Sequence, residues 1–109
     1  MGTLHYGNGM LSASIPDWVL AHLKVVATTK LRRNESFTVS WRHPDHTAGG
    51  RSTLWMQPSI PLLFEFDSPE PVTLDPDYLH ALANAANSAG GMSIDWPDEA
   101  SVAARSLAA

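Results

Sequence analysis

Apolar and polar residues alternate at the beginning of the chain in a pattern that predicts a β-hairpin. TLHYG, residues 3–7, has the composition of a short strand, and Gly-Asn-Gly at residues 7–9 is a turn signal. MLSASI, residues 10–15, then alternates apolar side chains with serine, so it is expected to return as the second strand.

Between Trp18 and about Arg33 the apolar residues change to a helical spacing. Those that recur at i, i+3, i+7 and i+11 are Leu20, Leu23, Ala27 and Leu31. Pro16 and Asp17 suit a first helical turn, because proline needs no donor there and aspartate opposes the helix dipole. Asn34 tolerates the left-handed conformation that ends many helices, so a helix is predicted over this range.

Three alternating segments in the middle of the chain predict three more strands. They are SFTVSWR (36–42), RSTLWMQ (51–57) and PLLFEFD (61–67). HPDHTAGG, residues 43–50, has turn composition throughout. Pro58 and Pro61 bound the connection between the second and third of these strands, and they favour edge positions nearby.

A helix and a short strand are predicted after a linker. Asp75 is placed to cap a helix that begins at Pro76 and continues to about Ser88, where two glycines end it. MSIDW, residues 92–96, alternates again as a final strand.

These elements follow the order ββαβββαβ, which predicts an α+β fold. We expect a single domain over residues 1–97, with an antiparallel sheet of about five to six strands covered by two helices. The Ala-rich residues 98–109 have no clear apolar face and are expected to form a weakly ordered tail. The residues expected to share the core are Leu20, Leu23, Phe37, Val39, Trp41, Leu62, Phe64 and Leu82.

Composition narrows the class of protein. The chain has 109 residues, of which 44% are apolar and 17% charged, as in ordinary globular domains. It contains no cysteine, which excludes disulfides and cysteine-ligated zinc. No run approaches the length of a membrane span. The expectation is a soluble cytoplasmic domain without a cofactor.

Charge is divided unevenly along the chain, whose net charge is −4. Residues 24–51 contain six basic and two acidic side chains, whereas residues 65–99 contain eight acidic and no basic ones. Such a division can mark a basic face for an anionic ligand. Alternatively, the two regions neutralise each other within one molecule or across a dimer.

Five basic residues form the candidate binding site: Lys30, Arg32, Arg33, Arg42 and Arg51. With Trp41 and Trp55 interleaved, they supply the charge and the aromatic rings that single-stranded nucleic acid requires. The alternative is structural, since positive charge near residue 33 also offsets the dipole at a helix end. Arg42 and Arg51 flank the same predicted hairpin loop and would approach each other across the strands.

Catalytic chemistry has weaker support. His43, Asp45 and His46 share one loop and are candidate metal ligands, although a solvated polar turn has the same composition. His22 lies on the first predicted helix, where a buried, hydrogen-bonded histidine is more common than a catalytic base. Neither a G-x-S-x-G nor a phosphate-binding glycine motif is present. No catalytic residue is predicted.

Four further segments are distinctive: MGTLHYG, LAHLKVV, TKLRRNESFTVSWR and GRSTLW. Together they resemble a group of short actinobacterial proteins of unknown function, many of which are labelled ATP-dependent DNA ligase. The resemblance implies a small stand-alone domain and supplies no catalytic residues. A ligase of this type needs a lysine nucleophile in a K-x-D-G setting, which neither Lys24 nor Lys30 has. Autonomous ligase activity is therefore not expected.

Three hypotheses of function follow, in this order. The first is a non-enzymatic interaction module that self-associates or docks to a protein partner through an edge strand. The second is an accessory nucleic-acid-binding domain that uses the basic residues. The third is a small metal-dependent hydrolase that uses the histidines.

Overall fold

The computed structural model describes residues 1–42 and 50–96 and confirms the α+β class and the element order. The strands are β1 (Gly2–Tyr6), β2 (Leu11–Ile15), β3 (Phe37–Arg42), β4 (Arg51–Met56), β5 (Leu62–Glu65) and β6 (Met92–Ser93). The helices are α1 (Asp17–Arg32) and α2 (Pro76–Ala86). The predicted metal ligands at residues 43, 45 and 46 and the predicted tail lie outside the described residues.

The described strands form two three-stranded sheets, which differs from the single antiparallel sheet expected. Sheet A has the order β2-β1-β5 and sheet B the order β4-β3-β6. β6 runs parallel to β3, while the other pairs are antiparallel. The chain changes sheets between β4 and β5, at the proline-bounded connection. Each of these two strands lies at an edge of its sheet, as the prolines predicted.

Turns and helix ends lie where the local signals predict them. Gly7 and Gly9 have φ of 70° and 83° in the first hairpin, and Asn34 has φ of 59° after α1. The Asp75 carboxylate caps α2 by accepting hydrogen bonds from the backbone N–H groups of Asp77, at 3.0 Å, and Tyr78, at 3.4 Å.

One hydrophobic core lies between the helices and the inner faces of both sheets. Of the eight predicted core residues, six are buried: Leu20, Leu23, Phe37, Val39, Trp41 and Leu82. Leu62 and Phe64 are only partly buried, although they pack against the core. The prediction was wrong for these two because β5 is an edge strand, where one flank of each side chain stays open to solvent.

The two helices pack side by side and run in the same direction. The ring of Trp18 lies 5.5 Å from that of Tyr78 near their N-terminal ends, and Lys30 donates a hydrogen bond to Asn87 near their C-terminal ends. Between these contacts, the buried His22 ring joins α1 to the cap of α2. Its Nδ1 donates to the carbonyl of Trp18 at 2.6 Å, and its Nε2 accepts the Asp75 N–H at 2.8 Å. His22 therefore has the structural role expected for it.

Within residues 1–42 and 50–96, no helix combines the length and the apolar character needed to cross a bilayer.

Candidate binding surface

The outer face of sheet B, opposite the core, is open in the described part of the chain. Alternation along β3 turns Trp41 and its two apolar neighbours inward, as predicted, so that Thr38, Ser40 and Arg42 face outward. Their partners across β4 are Trp55, Thr53 and Arg51, respectively. On the other side, Ser93 of β6 lies beside Ser40. We call these seven outward residues the sheet B face.

Arg51 lies across the sheet B face. Its Nη2 donates to the Ser93 hydroxyl at 3.1 Å, although β3 separates the strands of the two residues. Two strand spacings amount to about 9–10 Å, so the side chain extends flat over β3. Ser40 beneath it is buried, and its hydroxyl is hydrogen-bonded to that of Thr53 at 2.7 Å. The guanidinium is thereby held in place before any ligand binds.

Arg42 is partly neutralised by an acidic neighbour. Its Nε lies 3.6 Å from Oδ1 of Asp95, and the same oxygen accepts a hydrogen bond from its backbone N–H at 3.1 Å. Arg42 and Arg51 are opposite each other in the strand register, as the sequence predicted. This end of the sheet B face therefore carries two guanidinium groups and one carboxylate.

Trp55 provides an exposed aromatic surface at the other end. Its side chain is 56% exposed, whereas its backbone carbonyl accepts a hydrogen bond from the Tyr6 hydroxyl of sheet A. A groove of about 450 Å³ lies beside the indole, between β3 and the end of α2. Gly91, at one side of this groove, lets the backbone approach β3 closely: its φ is 75°, and a Cβ there would lie 1.9 Å from the Thr38 hydroxyl.

The other three predicted basic residues lie at the C-terminal end of α1. Lys30 Nζ is 3.4 Å from Glu35 Oε1, and its side chain is only 12% exposed. Arg32 and Arg33 are exposed, and neither forms an ion pair with another described residue. The six residues of β3, about 20 Å of strand, separate this group from Arg42 and Arg51. The five basic residues therefore occupy two separate regions.

A serine, a histidine and a glutamate form a chain of hydrogen bonds on the outer face of sheet A, which sequence reasoning missed. The Ser12 hydroxyl lies 3.3 Å from His5 Nδ1, and His5 Nε2 lies 2.8 Å from Glu65 Oε1. The hairpin register could have predicted the first contact, whereas the second joins residues far apart in sequence. The cluster lies on an exposed sheet surface, where it links all three strands of sheet A. We assign it a structural role.

Metal-ligand geometry is absent from residues 1–42 and 50–96, where no three histidine, aspartate or glutamate side chains converge. The chain's two lysines, which were considered above as ligase nucleophiles, both have partners. Lys24 lies over the Phe66 ring, with Nζ 5.9 Å from the ring centroid, and Lys30 is paired with Glu35.

A family described as "Domain of unknown function (DUF7882)" matches residues 1–96, and the chain belongs to that family. No curated protein and no solved structure matches it.

Proposed function

We propose, for this member of a family without an assigned activity, that the protein is a non-enzymatic interaction module that docks a protein partner on the sheet B face. The observation that carries the proposal is Trp55, whose indole is more than half exposed on a sheet face that no described helix covers. Tryptophan and arginine are the residues that most often dominate protein–protein binding energy. Here Trp55 shares one strand with Arg51, four residues away.

Ion pairing favours a protein partner over nucleic acid. Binding to a polyanion draws its affinity from cations that release counterions from phosphates. Arg42 already has Asp95 beside it, and Lys30 has Glu35. Of the two guanidinium groups on the sheet B face, only that of Arg51 lacks an acidic neighbour, and a single uncompensated charge suits a partner with one or two carboxylates better than a phosphate chain.

The distance between Trp55 and Arg51 on β4 indicates how long a peptide segment would have to be to contact both. Trp55 and Arg51 point to the same side and are separated by four residues, or about 13 Å. An extended peptide of similar length can place an apolar or aromatic side chain against the indole and a carboxylate against the guanidinium. Such a pairing needs no folding of the partner.

The face supports docking better than the strand edge does. β4 lies at the edge of sheet B, the position at which strand addition was expected. However, the Tyr6 hydroxyl already donates a hydrogen bond to the Trp55 carbonyl, so a partner strand that used this carbonyl would have to displace it. The proposal includes a cytoplasmic location. It does not include ligase activity, although proteins that the chain resembles carry that label.

Selection from a displayed library of random peptides tests the proposal. Peptides that pair an acidic with an aromatic residue should be enriched, and Trp55→Ala should weaken their binding about thirtyfold or more, since truncating a hot-spot residue costs about 2 kcal/mol or more. Trp18→Ala is the matched control, because Trp18 is 46% exposed but lies on α1. Enriched peptides that bind equally well to Trp55→Ala would refute the proposal.

A titration with a single-stranded oligonucleotide tests the nucleic-acid alternative. The double variant Arg42→Glu/Arg51→Glu removes both guanidinium groups of the sheet B face. Binding that falls steeply with salt and is abolished in this variant would favour nucleic acid as the partner.

A further inference from the structure

The outer edge of β2 is a second surface, and it belongs to sheet A rather than to sheet B. β2 lies at one side of the strand order β2-β1-β5. Among the described residues, only those of β1 form backbone hydrogen bonds with it. Of the strands in sheet A, the central strand β1 has the main contact with α1, so this helix does not cover the edge. The edge is therefore open in the described part of the chain.

The ladder on β1 shows which backbone groups point out from this edge. In an antiparallel pair, alternate residues direct both their N–H and their C=O towards the partner strand. The Gly7 N–H donates to the Pro61 carbonyl on the β5 side, so the alternating groups of β1 that face β2 are those of Gly2, Leu4 and Tyr6. Their partners in the register are Ile15, Ala13 and Leu11.

The backbone groups of Ser12 and Ser14 consequently point away from sheet A. Each of these two residues presents one N–H and one C=O, so the edge offers two donors and two acceptors. Both residues are exposed, and the register with β1 continues through them without a bulge. The edge is therefore straight and has the form that an added antiparallel strand requires.

We infer that this edge pairs with the same edge of a second copy, which joins two molecules through a continuous six-stranded sheet. A two-fold axis at Ala13, perpendicular to the sheet, places Ser12 of each copy opposite Ser14 of the other. Each of these two pairs exchanges both of its hydrogen bonds, which makes four between the copies. All of the outward donors and acceptors of both strands are then satisfied.

The register about Ala13 satisfies more groups than its neighbours do. An axis at Ser12 would pair that residue with itself and leave Ser14 opposite Met10, which lies in the turn before β2. An axis at Ser14 would pair Ser12 with Pro16, which has no N–H and whose carbonyl already accepts from Leu20. Self-pairing about Ala13 is therefore the arrangement that the strand itself specifies.

Apolar side chains on the inner face match across the same axis. Leu11 shares a face with Ala13 and Ile15, which are buried, yet it is 39% exposed. In the dimer Leu11 lies opposite the partner's Ile15, and Ala13 lies opposite the partner's Ala13, where a small side chain permits close approach. Pairing therefore covers an apolar side chain that the monomer leaves open.

The absence of charge identifies a second copy as the occupant. Residues 7–16 contain no charged side chain, so two copies of β2 approach each other without repulsion. Edge strands are commonly protected from pairing by lysine, proline or a bulge, and the five residues of β2 contain none of these. Other edges differ: β5 carries Glu65, and on β4 the Trp55 carbonyl already accepts from Tyr6.

The size of the contact predicts a weak, concentration-dependent dimer. A strand of five residues is about 17 Å long, and a standard interface buries about 800 Å² on each partner, more than one such strand provides. This inference does not depend on the proposed function, because the β2 edge and the sheet B face have no residue in common.

Hydrogen exchange of the full chain over a concentration series tests the inference directly. The Ser12 and Ser14 amides should exchange rapidly in the monomer and become protected in proportion to the fraction of dimer measured by sedimentation. The Ala13 amide is the internal control, since it is bonded to β1 and should be protected at every concentration. A chain that stays monomeric at millimolar concentration, or a dimer in which both serine amides still exchange rapidly, would overturn the inference.

Ser14→Pro removes an outward N–H and leaves the hydrogen bonds to β1 in place. The dissociation constant of the dimer should rise at least about tenfold, because two of the four intermolecular hydrogen bonds are lost. Ser14→Ala is the matched control, since it keeps the N–H and should dimerise like the wild type. A folded Ser14→Pro variant that dimerises as tightly as Ser14→Ala would contradict the pairing.

Cysteine cross-linking tests the register without a proline, in a chain that has no cysteine of its own. Opposite residues of a hydrogen-bonded pair have Cα atoms about 5.5 Å apart, which a disulfide can bridge, whereas diagonal positions are about 7–8 Å apart. An equimolar mixture of Ser12→Cys and Ser14→Cys should therefore form mixed disulfides well above their statistical share of one half. Mixed disulfides at or below that share would refute the two-fold at Ala13.

Discussion

At the scale of single residues, two neighbouring polar rings between the helices differ in how their polar atoms are satisfied. His22 and Tyr78 pack edge to face, with ring centroids 4.9 Å apart. Both nitrogens of His22 are hydrogen-bonded, whereas the buried Tyr78 hydroxyl has no hydrogen-bond partner among the described residues. An unsatisfied buried hydroxyl costs stability, so these two side chains should respond oppositely to replacement.

The first prediction is that Tyr78→Phe leaves stability at pH 7 unchanged or raises it by up to about 1 kcal/mol, because it removes the unsatisfied hydroxyl. Burial, and then the negative charge of Asp95, raise the pKa of Tyr78 above its ordinary value of 10.0. Only the unfolded chain then loses this proton just above pH 10, and deprotonation stabilises the unfolded state. The wild type should therefore lose stability as the pH rises from 10 towards the raised pKa, and Tyr78→Phe should lose less.

Urea unfolding of both proteins at pH 7 and at pH 10.5–11 measures this difference. Tyr6→Phe serves as the control, since its hydroxyl donates to the Trp55 carbonyl and its loss should destabilise the protein at pH 7. A Tyr78→Phe variant that is less stable than the wild type by more than 1 kcal/mol at pH 7 would show that the hydroxyl is satisfied.

Tryptophan positions illustrate how far residue-level prediction extends. The clean alternation of β3 correctly placed Trp41 in the core. RSTLWM alternates less clearly, because Leu54 and Trp55 are both apolar and either could face inward. The pairing of this segment with β3 determines which of the two faces outward, since Trp55 lies opposite Thr38 and must share its face.

At the scale of elements, the sequence predicted each helix and strand because their signals are local. The cap at Asp75, the left-handed Asn34 and the glycine turn depend on a few adjacent residues. Strand pairing depends on distant partners: β1 pairs with β5, some sixty residues away, and β6 adds to β3 in parallel. Periodicity shows which face of a strand is apolar but not which strand lies beside it, so the division into two sheets could not be predicted.

The candidate site was predictable to the same extent. The sequence placed Arg42 and Arg51 together, because a hairpin loop joins their strands. It did not reveal that Asp95 neutralises Arg42 or that Arg51 reaches Ser93, since both contacts require β6 to pair with β3. Those contacts compensate or engage part of the positive charge that binding to nucleic acid would use.

The second prediction concerns the junction of α1 and α2. His22→Phe keeps an aromatic ring at this position but leaves the Asp75 N–H without its acceptor. Because a buried, unsatisfied backbone donor is costly, the free energy of unfolding should fall by about 1–3 kcal/mol. His80→Phe, at an exposed position of α2, should change it by less than about 0.5 kcal/mol. Equal stability of the His22→Phe variant and the wild type, in urea unfolding, would contradict the role of this histidine as a link between the helices.

At the scale of the whole molecule, the two sheets depend on each other. Both contribute inner faces to one core, and the Tyr6 hydroxyl of sheet A is hydrogen-bonded to the Trp55 carbonyl of sheet B. The core is also closely packed against α1 at Gly2. A Cβ at this position would lie 2.6 Å from the Glu65 carbonyl oxygen and 2.9 Å from a methyl group of Leu20. A substitution at Gly2 should therefore destabilise sheet B as well as sheet A.

The third prediction is that Gly2→Ala destabilises the whole domain by at least about 1–3 kcal/mol, because β1 must move away from β5 or α1 to admit the methyl group. If sheets A and B unfold together, hydrogen exchange of the Val39 and Trp41 amides in sheet B should accelerate as much as that of the Leu4 amide in sheet A. Gly90→Ala is the control, since a Cβ there contacts nothing within 4 Å and its exchange rates should match the wild type. Acceleration confined to sheet A would mean that the sheets unfold separately. The sheet B face, with Trp55 and Arg51, would then keep its structure when the remainder of the domain opens.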